Sequence, residues 1–366
     1  MTDGDDDSRR ARRDPTTLTP EKAKERYLRR RKPDSTDHTL KSWKYRLKLF
    51  VEWCEEIGIE EVGDLRGYDL DEYYEIRSPK VSPATLEGEM WTLKMLMEFL
   101  EDIEAVDDGL ADSVRIPDLD QESRTNDTKL HTDAALALLE HYRNDDVHYG
   151  TRKHAFLELA WHTGARQGGL RALDLRDVEL GDDAYVEFRH RPETGTPLKN
   201  KRRGERPVAL NDTVAGVVET YIEKYRHDTR DDHGRQPLLS SMRGRPNANT
   251  IRTWSYNATL PCVHSPCPHG RKRETCQFTS YGHASKCPSS RSPHRIRTGA
   301  ITWFLNRGWP PEDVAERVNA SVDTIEQHYD KADPDERRRR LRERMEDRRR
   351  KLVDQLQIQT HEPHDN

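Results

Sequence analysis

Four short motifs supply residue types that can act together on a phosphodiester. The side chains concerned are Arg166, Lys201, His294, Arg297 and Tyr329. A guanidinium donates paired N–H groups from a planar cation, so two arginines can clamp the oxygens of a phosphate. His294 lies three residues before Arg297, which puts both on one face of a helix. A tyrosine hydroxyl can attack phosphorus when its surroundings help it lose a proton, because a free phenol titrates near pH ~10.

The order and spacing of these motifs are more specific than any one of them. They read TGAR at 163–166, KNKRRGER at 199–206, SPHRIRTG at 292–299 and IEQHY at 325–329. Taken singly, each residue has an ordinary structural explanation. The arginines could form surface ion pairs, the histidine could bond backbone at a helix N-terminus, and the tyrosine could be a half-buried core residue. Together the motifs resemble the catalytic domain of the tyrosine recombinase (phage integrase) family, particularly integrases of halophilic archaea and their viruses. The resemblance covers roughly residues 130–340.

This resemblance implies a site-specific DNA recombinase. The family cuts a strand with the tyrosine, here Tyr329, and holds it as a 3′-phosphotyrosyl bond, so rejoining needs neither ATP nor a catalytic cofactor. Arg166, His294 and Arg297 would surround the scissile phosphate. A hairpin lysine would be the general acid, and the count back from residues 206–210 falls on Lys201. Lys199 is a close competitor, because this loop varies in length. The family also implies double-stranded DNA as partner and a synapse of four copies of the chain.

Two positions depart from the family pattern. Gly169 stands where most members carry an acidic residue, three positions after Arg166. The motif ahead of the tyrosine lacks its usual histidine, and Asn319 or Ala320 occupies the place, with His328 a less favoured substitute. These departures keep open a zinc-bearing DNA-binding regulator that has lost catalysis. A type IB topoisomerase, which shares the Arg, Lys, Arg and Tyr chemistry, is a further alternative.

Four cysteines cluster just before the His294 motif. They are Cys262, Cys267, Cys276 and Cys287, separated by four, eight and ten residues. In an intracellular protein such clustering favours metal over disulfides. Four thiolates would hold a structural zinc ion and leave no open position for catalysis. Free thiols in a flexible insert are the alternative, because the spacing has no tight Cys-x-x-Cys pair. Cys54 lies alone in an apolar helical pattern and fits a core position.

The composition is that of a highly charged protein with modest cores. Charged residues make up 35% and hydrophobic residues 33% of the 366-residue chain, with a net charge of −5. That balance does not itself indicate DNA binding, but local basic runs occur at 29–32, 199–206, 271–273 and 337–350. No apolar run is long enough to span a bilayer, and the N-terminus is acidic. We therefore expect a cytoplasmic protein.

The elements that must position the motifs follow from hydrophobic periodicity. Apolar residues recur at helical spacing over 40–57 and 86–100, which predicts a helical N-terminal domain at 17–115. Its position and size match the family's core-binding domain. A disordered tail is expected at 1–16 and a linker at 116–129. The resemblance implies that the two domains form a C-shaped clamp around duplex DNA.

The catalytic domain is predicted at 130–333, with the Cys-rich insert at 261–287. Helices are expected at 134–139, 155–161, 211–225, 293–306, 310–318 and 321–329. Residues 184–190 and 206–210 should form a β-hairpin. A charged C-terminal helix and tail follow at 334–366, either solvated or docked on a neighbouring subunit. The fold class is therefore mainly α with a small β-sheet: a helical, SAM-like core-binding domain and a DNA breaking-rejoining catalytic domain.

Overall fold

The computed structural model describes residues 14–120 and 128–329, with some helical positions between 335 and 350. Of residues 328 and 329 it describes only the backbone. The predicted tail at 1–13, the middle of the predicted linker at 121–127 and the chain end at 351–366 lie outside the described residues. The chain divides into two compact units, Met1–Asn126 and Asp127–Asn366. Each unit has its own buried core.

The described part of the N-terminal unit is helical. Its α-helices are α1 Pro20–Arg31, α2 Asp37–Ile57, α3 Gly67–Arg77 and α4 Pro83–Asp102. Thr19, Thr36 and Ser82 cap α1, α2 and α4 through their side-chain oxygens, which satisfies N–H groups that a helix start leaves open. The two apolar patterns therefore lie on α2 and α4, as predicted. Residues 14–16, predicted as tail, belong instead to a short 3-10 turn, Pro15–Thr17, capped by Asp14.

The second unit is built around one buried helix. Its described α-helices are α5 Thr132–Asn144, α6 Arg152–Thr163, α7 Gln167–Ala172, α8 Asp212–Thr220, α9 Ala248–Ala258, α10 Pro293–Asn306, α11 Pro311–Val318 and α12 Val322–Thr324. Residues 154–161 of α6 are buried throughout, and α5, α8, α9 and α10 pack against it. Helices α8 and α12 continue as single π-helical turns, Tyr221–Tyr225 and Ile325–Tyr329. The mainly helical fold class is confirmed.

A small antiparallel sheet lies beside these helices. Its strands, β1 Val178–Glu179, β2 Tyr185–Phe188 and β3 Arg206–Ala209, are ordered β1-β2-β3. The register places Phe188 opposite Arg206. Strands β2 and β3 are the predicted hairpin, and the intervening residues 189–205 form the long basic loop.

The described positions of the C-terminal segment are helical. Arg340 is buried, whereas Leu341 and Met345 are 54% and 68% exposed. Leu352 and Leu356 of the predicted apolar face lie outside the described residues. No described helix combines the length and apolar character needed to cross a membrane.

Candidate active site

Arg166 is held at the junction between α6 and α7. Helix α6 ends at Gly164, whose φ of +57° is the left-handed conformation that glycine adopts without strain. A Cβ there would also lie 2.8 Å from a methyl carbon of Val318. Two residues on, Arg166 is the extended residue that precedes α7. Its Nη1 donates a hydrogen bond to the backbone oxygen of Asn319 at 2.5 Å.

Arg297 lies on α10 and is only 1% exposed. Its Nη1 donates to the backbone oxygens of Gly164 and Val318, both at 2.7 Å. Val318 and Asn319 are consecutive, and they accept hydrogen bonds from Arg297 and Arg166 respectively. Two guanidinium groups, 131 residues apart in sequence, are therefore held side by side by one short segment of backbone.

His294 lies in the first turn of α10. Its ring is accessible to solvent, yet its pKa is lowered to about 4. Desolvation is the largest cause, and the nearby positive charges of Arg295, Arg297, Arg166 and Lys199 add to it. The imidazole is therefore neutral at physiological pH and can accept a proton. The structure thus brings His294 together with both predicted arginines.

The two candidate lysines occupy the basic loop between β2 and β3, and both are exposed. Lys199 acts on the pKa of His294, and Lys201 is not among the causes of that shift. Lys201 adopts a φ of +52°, which is uncommon outside glycine. Between them, Asn200 donates through Nδ2 to the side-chain oxygen of Asn319 at 2.7 Å. The loop is therefore anchored beside the arginines, and the positive charge of Lys199 contributes to the lowered pKa of His294.

Tyr329 ends the π-helical turn that follows α12. This turn packs against α10, and its first residue, Ile325, is fully buried in the core of the second unit. The backbone that carries Tyr329 is therefore anchored to the helix that carries His294 and Arg297. The side chains of His328 and Tyr329 lie outside the described residues.

A third arginine, Arg206, belongs to this site and was not predicted to do so. Its guanidinium stacks over the Phe188 ring at 4.5 Å, and its Nε donates to the backbone oxygen of Arg317 at 2.6 Å. Its pKa is lowered to about 9, first by desolvation and then by the charges of Arg297, Arg166 and Arg317. Arg206 thus lies near both predicted arginines and remains cationic at neutral pH.

Arg317 adds a fourth cation. Its Nη2 donates to the backbone oxygen of His162 at 2.9 Å, and desolvation lowers its pKa to about 10. In the described part of the chain, neither Arg206 nor Arg317 forms an ion pair with a carboxylate. Partly buried cations without an anionic partner are costly, so such a group favours binding of an anion. A phosphate matches this requirement.

Comparisons with known proteins identify the family of the chain. The model of the phage integrase family matches residues 129–336, more than half of the chain. The chain belongs to the phage integrase family. It is accordingly a tyrosine site-specific recombinase, as the four motifs indicated.

Solved structures of recombinases share the fold. The Tn1549 transposon integrase, in complex with a circular intermediate DNA, is 14% identical with a TM-score of 0.60, over 89% of this chain and 99% of that one. A lambda integrase dimer bound to a COC′ core site is 12% identical with a TM-score of 0.57, over 85% and 77%. The N-terminal domain of a phage integrase/site-specific recombinase from Haloarcula marismortui is 48% identical over 27% of this chain and 97% of that one, with a TM-score of 0.27. No curated protein matches the chain.

The two departures from the integrase pattern have structural counterparts. A Cβ at Gly169 would lie 3.2 Å from the Phe188 ring, the same ring on which Arg206 stacks, so a carboxylate side chain has little room there. Asn319 ends α11 in the left-handed conformation, with a φ of +53°. Its backbone oxygen accepts from Arg166, and its side chain holds the basic loop through Asn200. Asn319, one of the two positions at which the usual histidine would stand, therefore links two parts of the site.

The Cys-rich insert lies next to this recombinase site along the chain. None of its four cysteines forms a disulfide, and all four line one cavity of about 10 Å³, together with His269. In the described structure no three of the sulfur atoms lie within 4.8 Å of one another. Thiolates about 2.3 Å from a tetrahedral zinc ion lie roughly 3.8 Å apart. The insert thus brings the predicted ligands to one cavity, in a more open arrangement than a metal-bound one.

Proposed function

We propose that this recombinase breaks and rejoins duplex DNA through a 3′-phosphotyrosyl bond at Tyr329, without a catalytic cofactor. The main support is that the guanidinium groups of Arg166 and Arg297 donate hydrogen bonds to consecutive backbone carbonyls, those of Asn319 and Val318. Two planar cations at fixed positions suit the non-bridging oxygens of a phosphate, whose negative charge grows as a nucleophile adds. Arg206 and Arg317 add positive charge near these two arginines.

The chemical step is an in-line displacement at phosphorus. The Tyr329 oxygen forms a bond to phosphorus while the bond to the 5′-oxygen breaks. His294 accepts the tyrosine proton, because its ring is neutral when DNA arrives. A lysine of the basic loop donates a proton to the leaving 5′-oxygen. Religation reverses these transfers, with a 5′-hydroxyl as the attacking group.

We propose Lys199 as the general acid ahead of Lys201, the choice of the motif count. The reason is that the adjacent Asn200 anchors this part of the loop to Asn319, and the charge of Lys199 acts on the pKa of His294. A substrate whose 5′-bridging oxygen is replaced by sulfur tests this assignment, since a thiolate leaves without a proton. Lys199→Ala should lose most cleavage of ordinary DNA and regain it on the sulfur substrate. Lys201→Ala, the matched control on the same loop, should change cleavage little. Rescue confined to Lys201→Ala would return the role to Lys201.

A suicide substrate tests the function as a whole. In such DNA a nick lets the short strand beyond the scissile bond diffuse away, so cleaved enzyme stays covalently attached. The wild-type protein should form this complex on its own attachment site, and Tyr329→Phe should bind the same DNA without forming it. Binding without covalent capture by the wild type would favour the regulator. Relaxation of plasmids without site preference would favour the topoisomerase.

We propose double-stranded DNA and further copies of this chain as partners. The fold neighbours include a lambda integrase dimer on a core site and a lambda integrase tetramer bound to a Holliday junction. Light scattering of the protein on one and on two attachment sites tests self-association, which should appear on DNA.

We also propose one structural zinc ion per chain in the Cys-rich insert. The described insert has only short 3-10 turns and a small apolar cluster around Leu260, Ala284 and Cys287, so four metal–thiolate bonds would supply much of its folding energy. Metal analysis should find stoichiometric zinc in the wild type and less in Cys276→Ser. Cys54→Ala, at a buried cysteine of the other unit, should keep its zinc. A metal-free wild-type protein would rule the ion out.

A further inference from the structure

A second group of metal-ligating side chains lies at the C-terminal end of α5, outside the recombinase site. It consists of His141 in the last turn of α5, Asp145 directly after the helix, and His148 in the following turn. Each offers one ligand atom, and the three atoms all lie within 4.8 Å of one another. The group shares no residue with the catalytic motifs or the cysteine insert.

The ligand atoms are spaced as a metal ion requires. The Asp145 Oδ2 lies 3.6 Å from the His141 Nε2 and 2.9 Å from the His148 Nδ1. Nitrogen and oxygen ligands about 2.0 to 2.1 Å from an ion lie roughly 3.0 to 3.4 Å apart, depending on its geometry. Small ring rotations therefore bring all three atoms to bonding distance. Two imidazoles and a carboxylate are typical ligands of zinc and related divalent transition metals.

The surrounding backbone holds the carboxylate in place. The other oxygen of Asp145, Oδ1, accepts from the backbone N–H of Val147 at 2.9 Å, which leaves Oδ2 facing the two rings. The backbone oxygen of Asp145 accepts from the N–H groups of His148 and Tyr149 at 2.9 and 2.8 Å. The loop is thus fixed by contacts that a bound ion would not need to replace.

His141 has a buried ring nitrogen whose environment the structure of the turn does not explain. Its Nε2 is buried and forms no hydrogen bond in the described structure, although it lies 3.6 Å from the Asp145 Oδ2. A buried polar nitrogen without a hydrogen bond is costly, and a metal–nitrogen bond would satisfy it. His148, by contrast, already bonds Asp145 directly.

We propose that His141, Asp145 and His148 bind one divalent transition-metal ion of the zinc class. The three side chains are between 25% and 32% exposed, so water can complete the coordination and the ion can exchange with solution. The ion would tie the end of α5 to the loop that leads into α6. Because Arg166 follows the opposite end of α6, the ion acts on the stability of this connection, at a distance from the reacting phosphate.

Cobalt binding to the full-length protein tests the proposal separately from the cysteine site. Nitrogen and oxygen ligands give only weak visible bands, whereas thiolates add a charge-transfer band in the near ultraviolet. His141→Ala should lower the bound metal by one ion per chain and leave any thiolate band unchanged. The variant suits this purpose because it removes a ligand without removing a hydrogen bond of the turn. His233→Ala, at an exposed histidine elsewhere, is the matched control and should bind as the wild type does.

Thermal unfolding gives a second measurement. Added zinc should raise the midpoint of the wild type and of His233→Ala by more than that of His141→Ala. If His141→Ala proves unstable, Asp145→Asn is the second test variant. It retains the size of the side chain and the Oδ1 acceptor, and it should also lose the ion. Equal metal content and equal midpoint shifts in the wild type, His141→Ala and Asp145→Asn would overturn the proposal.

Discussion

Replacement of Asn319 by glycine separates the two connections that this residue makes. Glycine adopts the left-handed conformation freely, so the backbone oxygen that accepts from Arg166 stays in place. The side-chain bond to Asn200, at 2.7 Å and exposed, is lost. One such hydrogen bond contributes about 1 kcal/mol, and the relief of left-handed strain roughly offsets the greater flexibility of the unfolded chain. The free energy of unfolding should therefore change by less than about 1 kcal/mol.

The effect on cleavage should be larger than the effect on stability. Without its anchor, the basic loop no longer holds Lys199 beside His294, and a loss of about 1 kcal/mol in the transition state slows cleavage roughly fivefold. The assay is the initial rate of covalent capture on a suicide substrate, with urea unfolding measured in parallel. Asn200→Ala, which removes the donor of the same hydrogen bond, is the matched variant and should lose a similar part of the cleavage rate. Wild-type cleavage by Asn319→Gly or by Asn200→Ala would refute the role of this bond.

Two further predictions concern pH and packing. The pKa of His294 is about 4 in the folded protein against 6.5 for the free side chain, so the unfolded chain takes up this proton first. The free energy of unfolding should therefore fall as the pH drops from about 6.5 to 4. His294→Gln should reduce this pH dependence, measured by urea titrations at pH 7 and pH 5. An unchanged pH dependence would contradict the lowered pKa of His294. Gly299→Ala should lower the free energy of unfolding by about 3 kcal/mol, because its Cβ would lie 2.0 Å from the backbone oxygen of Leu130. Gly282→Ala, where no atom lies within 4 Å of the added carbon, is the control, and equal stability of the two variants would exclude the clash.

Local signals account for the elements that the sequence predicted well. The helix predicted at 293–306 is α10 with the same bounds, because Ser292-Pro293 starts it and apolar residues recur along it. Helix α9 was not predicted, since its buried face includes Ser255 and Asn257. The side-chain nitrogen of Asn257 donates to the backbone oxygens of Thr253 and Tyr281, and Tyr281 lies in the Cys-rich insert, 24 residues further along the chain. Hydrophobic periodicity does not detect a helix buried in this way.

The residues of the candidate site also differ in whether a local sequence pattern reveals them. Arg166, His294 and Arg297 could be found because their motifs are short and ordered along the chain. Arg206 and Arg317 could not, because their place in the site depends on contacts far apart in sequence. Arg206 needs the ring of a neighbouring strand, and Arg317 donates to a carbonyl 155 residues away. Neither contact leaves a local pattern, so only the folded chain identifies these two cations.

Tyr329 is the nucleophile that we propose for the site of the paired arginines. Digestion of the covalent protein–DNA complex, followed by mass spectrometry of the DNA-linked peptide, tests it most directly. We expect a single adduct on Tyr329, absent from Tyr329→Phe and strongly reduced in Arg297→Lys. An adduct on another residue, or cleavage that leaves no protein–DNA bond, would contradict it.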